Sequence, residues 1–222
     1  MPALLVEERP LYLEAPPPLM GENRMVFRSL DWAAFQQIRQ LLAERTHARF
    51  TYDTGVLEIT MPLESHERLA RLIELFIRIL VVELGLKMKS MGSTTLARAD
   101  LLKSAEPDSG YYIQNYALVA DHEVDLTADP PPDLVVEVDI THTDIQKNVL
   151  YASLGVPEFW RFNGRQWTIL QLVEGRYEEC DCSPTFPLVS KGDFYRFLTT
   201  AITDEVTAEL DFRQWVRGQI QA

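Results

Sequence analysis

The chain has 222 residues, of which 46% are hydrophobic and 24% are charged, and its formal net charge is −12. This size and composition indicate a globular protein that can bury a core within one domain. The acidic balance argues against indiscriminate nucleic-acid binding, for which a basic surface is typical. No run approaches the ~18 uninterrupted apolar residues of a membrane helix, because charged residues interrupt the most apolar segment at Glu74, Arg78 and Glu83.

The N-terminal sequence MPALLVEERP has neither the basic start nor the long apolar stretch of a secretory signal, so we expect a cytoplasmic protein. The cysteines, Cys180 and Cys182, are one residue apart, which on a strand places them on opposite faces. Without a second pair of ligands they do not complete a tetrahedral zinc site. We interpret them as ordinary thiols.

Residues 1–28, with the prolines 16–18, predict an extended N-terminal arm, and residues 29–222 predict a single domain. The first helix is expected over residues 31–45. ARFTYDTGVLEITM then alternates about Asp53-Thr54-Gly55, the pattern of a hairpin.

A second helix is predicted from about Ser65 to Leu84, ending at Gly85. Its apolar stripe consists of Leu69, Leu72, Ile73, Phe76 and Leu80. Strand patterns follow at LKMKSM, TTLARADLL, SGYYIQN and PPDLVVEVD.

A helix is expected over residues 143–154, closed by Gly155, followed by a hairpin about Asn163-Gly164 and a third strand, RYEECDC. Two helices complete the chain, the first with a capping-box pattern at Ser190 and Asp193. The order of elements predicts a mixed α/β fold around a central sheet.

The strand PPDLVVEVD carries acidic residues where a buried strand is expected to be apolar. Asp133, Val135, Glu137 and Asp139 share one face. The Cα atoms of Glu137 and Asp139 are ~6.5–7 Å apart on an extended strand, so their partly buried charges repel unless a cation joins them. The alternative is a hydrated face on an edge strand.

The surrounding segment is also acidic, because no Lys or Arg occurs between Lys103 and Lys147. This pattern suits a divalent cation or, alternatively, a solvated acidic loop. Within the segment, Pro107 fixes the chain just before Asp108, which opens an aromatic strand. A single Pro-Asp pair is common in turns. Two such pairs, Pro107-Asp108 and Pro132-Asp133, each at the start of a predicted strand, form a more specific pattern. The acidic residues of the segment are Glu106, Asp108, Asp121, Glu123, Asp125, Asp129, Asp133, Glu137, Asp139 and Asp144.

Between about residues 55 and 175 the chain resembles the Uma-type restriction endonucleases, a bacterial branch of the PD-(D/E)XK nuclease superfamily. The resemblance rests on GVLEITMPLESHERLARL, GSTTLAR with AEPDSGYYIQN, PPDLVVEVDI and IQKNVLYASLGVPEFWRFNG, in that order. It implies a restriction-endonuclease-like α/β fold, with a mixed central sheet flanked by helices. It also implies a divalent metal and hydrolysis of DNA phosphodiester bonds.

Position by position, the resemblance implies that Asp108 and Glu137 are metal ligands, suited to Mg²⁺ or Mn²⁺. The superfamily places a catalytic lysine two residues after the glutamate, where this chain has Asp139. Lys147 matches a lysine moved to the following helix, although it is alternatively a surface charge. Asp139 is then expected to assist the metal or to pair with Lys147.

The superfamily's remaining acid lies on the first core helix, where this chain has His66 and Glu67. At 100° per residue, His66 lies at the edge of the apolar stripe and Glu67 nearly opposite it. His66 is therefore expected to face the site, and Glu67 to stabilise the helix N-terminus by its charge. We retain both as candidate catalytic residues.

Two hypotheses follow: a metal-dependent DNA endonuclease acting as a homodimer, or a catalytically inactive interaction module on a nuclease fold. The absence of lysine at position 139 favours the second, whereas Asp108, Glu137 and Lys147 together favour the first. A DNA-binding surface would have to use the basic residues of the first half, Arg68, Arg71, Arg78, Lys87, Lys89, Arg98 and Lys103.

Overall fold

The computed structural model describes residues 23–42, 45–139 and 143–221. Within them the chain forms a five-stranded sheet, ordered β1-β3-β2-β6-β5, and a six-stranded sheet, ordered β11-β10-β9-β8-β7-β4. The strands are β1 Asn23–Arg28, β2 Arg49–Asp53, β3 Val56–Met61, β4 Lys89–Gly92, β5 Leu96–Arg98, β6 Lys103–Ala105, β7 Ser109–Tyr112, β8 Leu134–Val138, β9 Glu158–Phe162, β10 Trp167–Val173 and β11 Arg176–Cys180. The helices are α1 Trp32–Leu42, α2 Glu64–Glu83, α3 Tyr116–Val119, α4 Lys147–Ser153, α5 Lys191–Thr203 and α6 Glu205–Ile220.

The prediction of a mixed α/β fold with a helix-flanked central sheet is confirmed, with a second sheet added. The last part of the predicted arm, residues 23–28, is strand β1 and pairs antiparallel with β3. Residues 1–22 of that arm lie outside the described residues, so the proposed division into arm and domain stays a prediction. In the part of the chain described, no helix has the length and apolar character needed to cross a membrane.

The five-stranded sheet is built on the predicted hairpin. β2 and β3 pair antiparallel from Arg49 opposite Thr60 to Asp53 opposite Val56. The turn uses positive φ at Thr54 and Gly55, which matches the twist of the strands it joins. Helix α1 covers this sheet with a small aromatic core, in which Phe35 stacks on Tyr52 with ring centroids 4.6 Å apart.

The six-stranded sheet contains the main core. Strand β8 pairs antiparallel with β7 and parallel with β9, so it is a central strand, and all five of its residues are buried. The alternative of a hydrated face on an edge strand is therefore excluded, and the predicted packed strand is confirmed. Helices α2, α5 and α6 cover the face carrying Leu134, Val136 and Val138, whereas Val135 joins a second core with α4.

Local sequence signals set several element ends. Helix α2 ends with Gly85 at φ +66°, and Leu86 N–H bonds the carbonyl of Val81, as in a Schellman cap. Helix α5 begins with the predicted capping box of Ser190 and Asp193.

Helix α4 is shorter than the prediction of residues 143–154. Thr143 and Asp144 bind Glu58 of strand β3, through the threonine hydroxyl at 3.2 Å and the aspartate N–H at 3.0 Å. Since these bonds compete with helical ones, the helix starts at Lys147.

Candidate active site

The antiparallel register brings Asp108 and Glu137 together. Ser109 of β7 lies opposite Val136 of β8, so the preceding residue, Asp108, lies at the level of Glu137. The Asp108 Oδ2 atom accepts a hydrogen bond from the N–H of Val138 at 2.5 Å. Both carboxylates are buried, and both line a cavity of about 20 Å³ at the end of the two strands.

Helix α4 holds both oxygens of Glu137. The Lys147 ammonium donates to Oε2 at 2.7 Å, and the Tyr151 hydroxyl donates to Oε1. These residues are four apart on the helix and therefore share one face. The Lys147 side chain is only 10% exposed, so it is not a surface charge.

Lys147 is positively charged in this site. Burial alone lowers its pKa, but the negative charges of Glu137 and Asp139 outweigh that effect, and the net pKa is raised above the ordinary value. The ammonium is therefore a hydrogen-bond donor at neutral pH.

Asp139 lies within reach of two cations. Its Oδ1 is 3.5 Å from the Lys147 ammonium, and its Oδ2 is 3.0 Å from the Arg161 guanidinium on β9. Asp139 thus takes part in fixing Lys147 beside Glu137, at the position where the superfamily pattern has a lysine.

Arg49 of β2 and His66 of α2 both contact Asp108. The Arg49 guanidinium contacts Oδ1, and His66 Nε2 lies 3.2 Å from Oδ2. Burial, reinforced by the positive charges of Arg49 and Lys147, lowers the pKa of His66 to about 4. The imidazole is therefore neutral at physiological pH.

Glu67 lies outside this cavity and reaches it indirectly. It accepts a hydrogen bond from Arg49 at 2.5 Å, and Arg49 in turn contacts Asp108. Glu67 also lines a larger cleft of about 750 Å³ next to the cavity. The structure therefore places His66 at the carboxylates and Glu67 at the entrance.

The donor chemistry of Asp108 and Glu137 fits a hard divalent ion. Mg²⁺ commonly takes one or two carboxylates and keeps several waters. The Val138 N–H points to Asp108, and since the N–H and C=O of a strand residue point to the same neighbour, the Val138 carbonyl would offer a third oxygen. Among the described residues, no group of three or more His, Cys, Asp or Glu could hold an ion. Asp139, predicted as a third ligand, therefore does not complete such a group.

Several contacts of this site had no clear sequence signal. Tyr151 is an exception, because a residue one helical turn after Lys147 is expected to lie on the same face of the helix. Arg49 and Arg161 lie on strands far from the acidic motifs in sequence, and only folding brings them to the site.

A sequence profile of the Uma2 family, described as "Putative restriction endonuclease", matches residues 32–198. The matched region covers 167 of the 222 residues. The chain belongs to the Uma2 family. Membership agrees with the two-sheet α/β architecture, which is consistent with a restriction-endonuclease-like fold, and it indicates a nuclease-type function. A search of curated proteins found no match to this Uma2 chain.

Proposed function

We propose that this Uma2 protein is a metal-dependent endonuclease that hydrolyses DNA phosphodiester bonds. The observation that carries the proposal is the placement of Asp108 opposite Glu137, with the Lys147 ammonium 2.7 Å from Glu137. Two buried carboxylates and the Lys147 ammonium around a shared cavity, which Arg49 also lines, supply the group types that phosphodiester hydrolysis requires.

Asp108 and Glu137 would hold Mg²⁺ or Mn²⁺, together with the Val138 carbonyl. When bound, the ion supplies charge stabilisation of the phosphate and activation of water for attack. Glu137 is held in orientation by Tyr151 and Lys147. Such support from neighbouring side chains fixes a ligand before the substrate arrives.

Lys147 acts as a donor and not as a general base, because its raised pKa keeps it protonated. Its ammonium is positioned to stabilise negative charge that develops on the phosphate oxygens. A lysine on the start of α4 reaches the strand end through its flexible four-carbon chain, which explains how position 139 can carry an aspartate. Asp139 then holds the ammonium in place.

The test is cleavage of single-stranded, duplex and branched DNA in the presence of Mg²⁺ or Mn²⁺. We expect the wild type to cut at least one substrate, and Asp108→Asn, Glu137→Gln and Lys147→Gln to lose the activity. Asp121→Asn and Lys191→Gln are charge-matched controls, since both residues lie outside the site, and they should cut like the wild type.

The same experiment separates the second hypothesis, an interaction module without catalysis. Each site carboxylate is already paired with a cation in the structure, which is the observation that favours it. A wild type that cuts no substrate with either metal, or site variants that cut as well as the wild type, would refute the nuclease proposal.

We also propose that the protein acts as a homodimer, since two active sites related by twofold symmetry can cut both strands of a duplex in one binding event. Light scattering at working concentration measures the mass directly. A mass of 25.5 kDa, that of one chain, would refute the dimer.

A further inference from the structure

The cleft of about 750 Å³ opens beside the carboxylate cavity and shares Arg49, Pro62 and Glu106 with it. Helices α1 and α2, strand β2 and the loop of residues 93–95 contribute its walls. A ligand lying in this cleft would therefore continue directly towards Asp108 and Glu137.

One wall of the cleft presents an arginine that is already fixed in position. Arg39 Nε donates to Glu106 at 3.3 Å, and its Nη2 donates to the Thr95 hydroxyl at 2.7 Å. Glu106 is itself held by the Phe50 N–H at 2.9 Å. A guanidinium has five N–H donors, so Arg39 has donors beyond these two contacts. Fixing it in advance lowers the entropy lost when an anion binds.

Helix α2 contributes Arg71 to the lining of the cleft. Its side chain is 68% exposed and pairs with Glu74 at 2.7 Å. The lining of the cleft contains three arginines, Arg39, Arg49 and Arg71, against the two glutamates Glu67 and Glu106. Arg49 and Arg71 also pair with Asp108 and Glu74, which lie outside the lining, so the cleft offers guanidinium donors to an anion although the whole chain carries a charge of −12.

The rest of the lining favours contacts with phosphate and sugar. Ser93, Thr94 and Thr95 contribute hydroxyl groups. Of the Phe, Tyr and Trp side chains, the described lining contains Phe50 alone, which is buried in the core of the five-stranded sheet; the imidazole of His47 is exposed. Base recognition on a single strand normally uses exposed aromatic platforms, whereas arginines and hydroxyls bind the backbone.

We infer that this cleft binds the sugar–phosphate backbone of one nucleic-acid strand beside the bond to be cut, with phosphates at Arg39 and Arg71. Its volume lies within the ~300–1,000 Å³ range of small-ligand pockets, which suits a short stretch of single strand. The inference rests on the proposed function for the position of the cut, but binding is measurable without cleavage. Contacts of this kind carry no base-sequence information.

The test compares two arginines of one helix. Arg71 and Arg78 both lie on α2 and both pair with Glu74, at 2.7 and 3.5 Å. Of the two, Arg71 is in the lining of the cleft and Arg78 is not. Full-length wild type, Arg71→Gln and Arg78→Gln are titrated into a fluorescein-labelled single-stranded oligonucleotide in EDTA, at several salt concentrations, and anisotropy gives the dissociation constant.

We expect Arg71→Gln to weaken binding several-fold for every base sequence, and to reduce the slope of log K against log salt by about 0.7, the value for one phosphate on a single strand. Arg78→Gln should bind like the wild type. Equal affinities of Arg71→Gln and the wild type, or equal losses in both variants, would overturn the inference. Competition by inorganic phosphate or a mononucleotide as effective as the oligonucleotide would also overturn it, since the occupant would then be a small phosphorylated molecule.

The outcomes separate this inference from the proposed function. A protein that binds DNA through Arg71 but never cuts it would refute the nuclease and leave the cleft as a strand-binding site. A protein that cuts DNA while Arg71→Gln binds normally would support the nuclease and refute the cleft.

Discussion

Asp108 and Glu137 lie opposite each other across two antiparallel strands, and a cation from a different element neutralises each. Arg49 of the five-stranded sheet contacts Asp108, and Lys147 of helix α4 contacts Glu137. Two buried carboxylates this close repel each other. The pairing with Arg49 and Lys147 offsets that repulsion.

Metal binding should stabilise the native protein through these carboxylates. At a free Mg²⁺ or Mn²⁺ concentration of 100 times Kd, stability rises by about 2.7 kcal/mol, which raises the Tm by about 5–10 °C for a chain of this size. Differential scanning calorimetry should show this rise for the wild type and for the control Asp121→Asn. Asp108→Asn should show no metal-dependent rise in Tm. An unchanged rise in that variant would show that Asp108 is not a metal ligand.

Tyr151→Phe should damage the site beyond its effect on folding. Loss of the hydroxyl leaves a buried oxygen of Glu137 without its donor, at a cost of about 1–3 kcal/mol. Tyr177→Phe is the matched control, because its hydroxyl donates to the Val156 carbonyl at 2.8 Å. Urea unfolding should show similar losses for both variants, whereas metal titration should show weaker affinity only for Tyr151→Phe. Equal metal affinities would mean that Tyr151 has a structural role alone.

His66 should make stability depend on pH between about 4 and 6.5. Its pKa is lowered from 6.5 to about 4 in the folded state, so in this window the unfolded chain binds the proton and the native state does not. Stability therefore rises with pH up to about 6.5 and falls on acidification. Acidification from pH 7 to pH 5 therefore lowers the free energy of unfolding by about 2 kcal/mol through His66 alone.

The measurement is urea unfolding in EDTA at pH 7 and pH 5, for the wild type and His66→Gln. The loss of stability between the two pH values should be smaller in His66→Gln by about 2 kcal/mol. The same loss in both proteins would show that His66 does not titrate in this way.

Phe76 should be among the most sensitive core positions. It is fully buried on α2, stacks on Phe212 with centroids 4.5 Å apart, and contacts Trp167 edge-on. Phe76→Ala should reduce the free energy of unfolding by about 3–5 kcal/mol, measured by urea denaturation. Val82→Ala, an exposed position on the same helix, should change it little. A small effect of Phe76→Ala would show that the surrounding aromatic rings collapse into the space.

Much of the fold was predictable because its signals are local. The alternation about Asp53-Thr54-Gly55 predicted a hairpin, Gly85 predicted the end of α2, and Ser190 with Asp193 predicted the start of α5. Each signal depends on backbone conformation or hydrogen bonding within a few residues. Strand β1 was missed because its partner, β3, is separated from it by α1 and β2.

The sequence alone determined the acidic character of the site, since Asp108 directly precedes one strand, and the alternation of Glu137 and Asp139 puts their carboxylates on a single face of another. Tertiary structure decided which of these charges are neutralised and by what. Arg49, Lys147 and Arg161 come from a second sheet, a helix and a neighbouring strand. Such pairs depend on distances in space that no spacing along the chain encodes, because buried charges are stable only where folding brings an opposite charge to them.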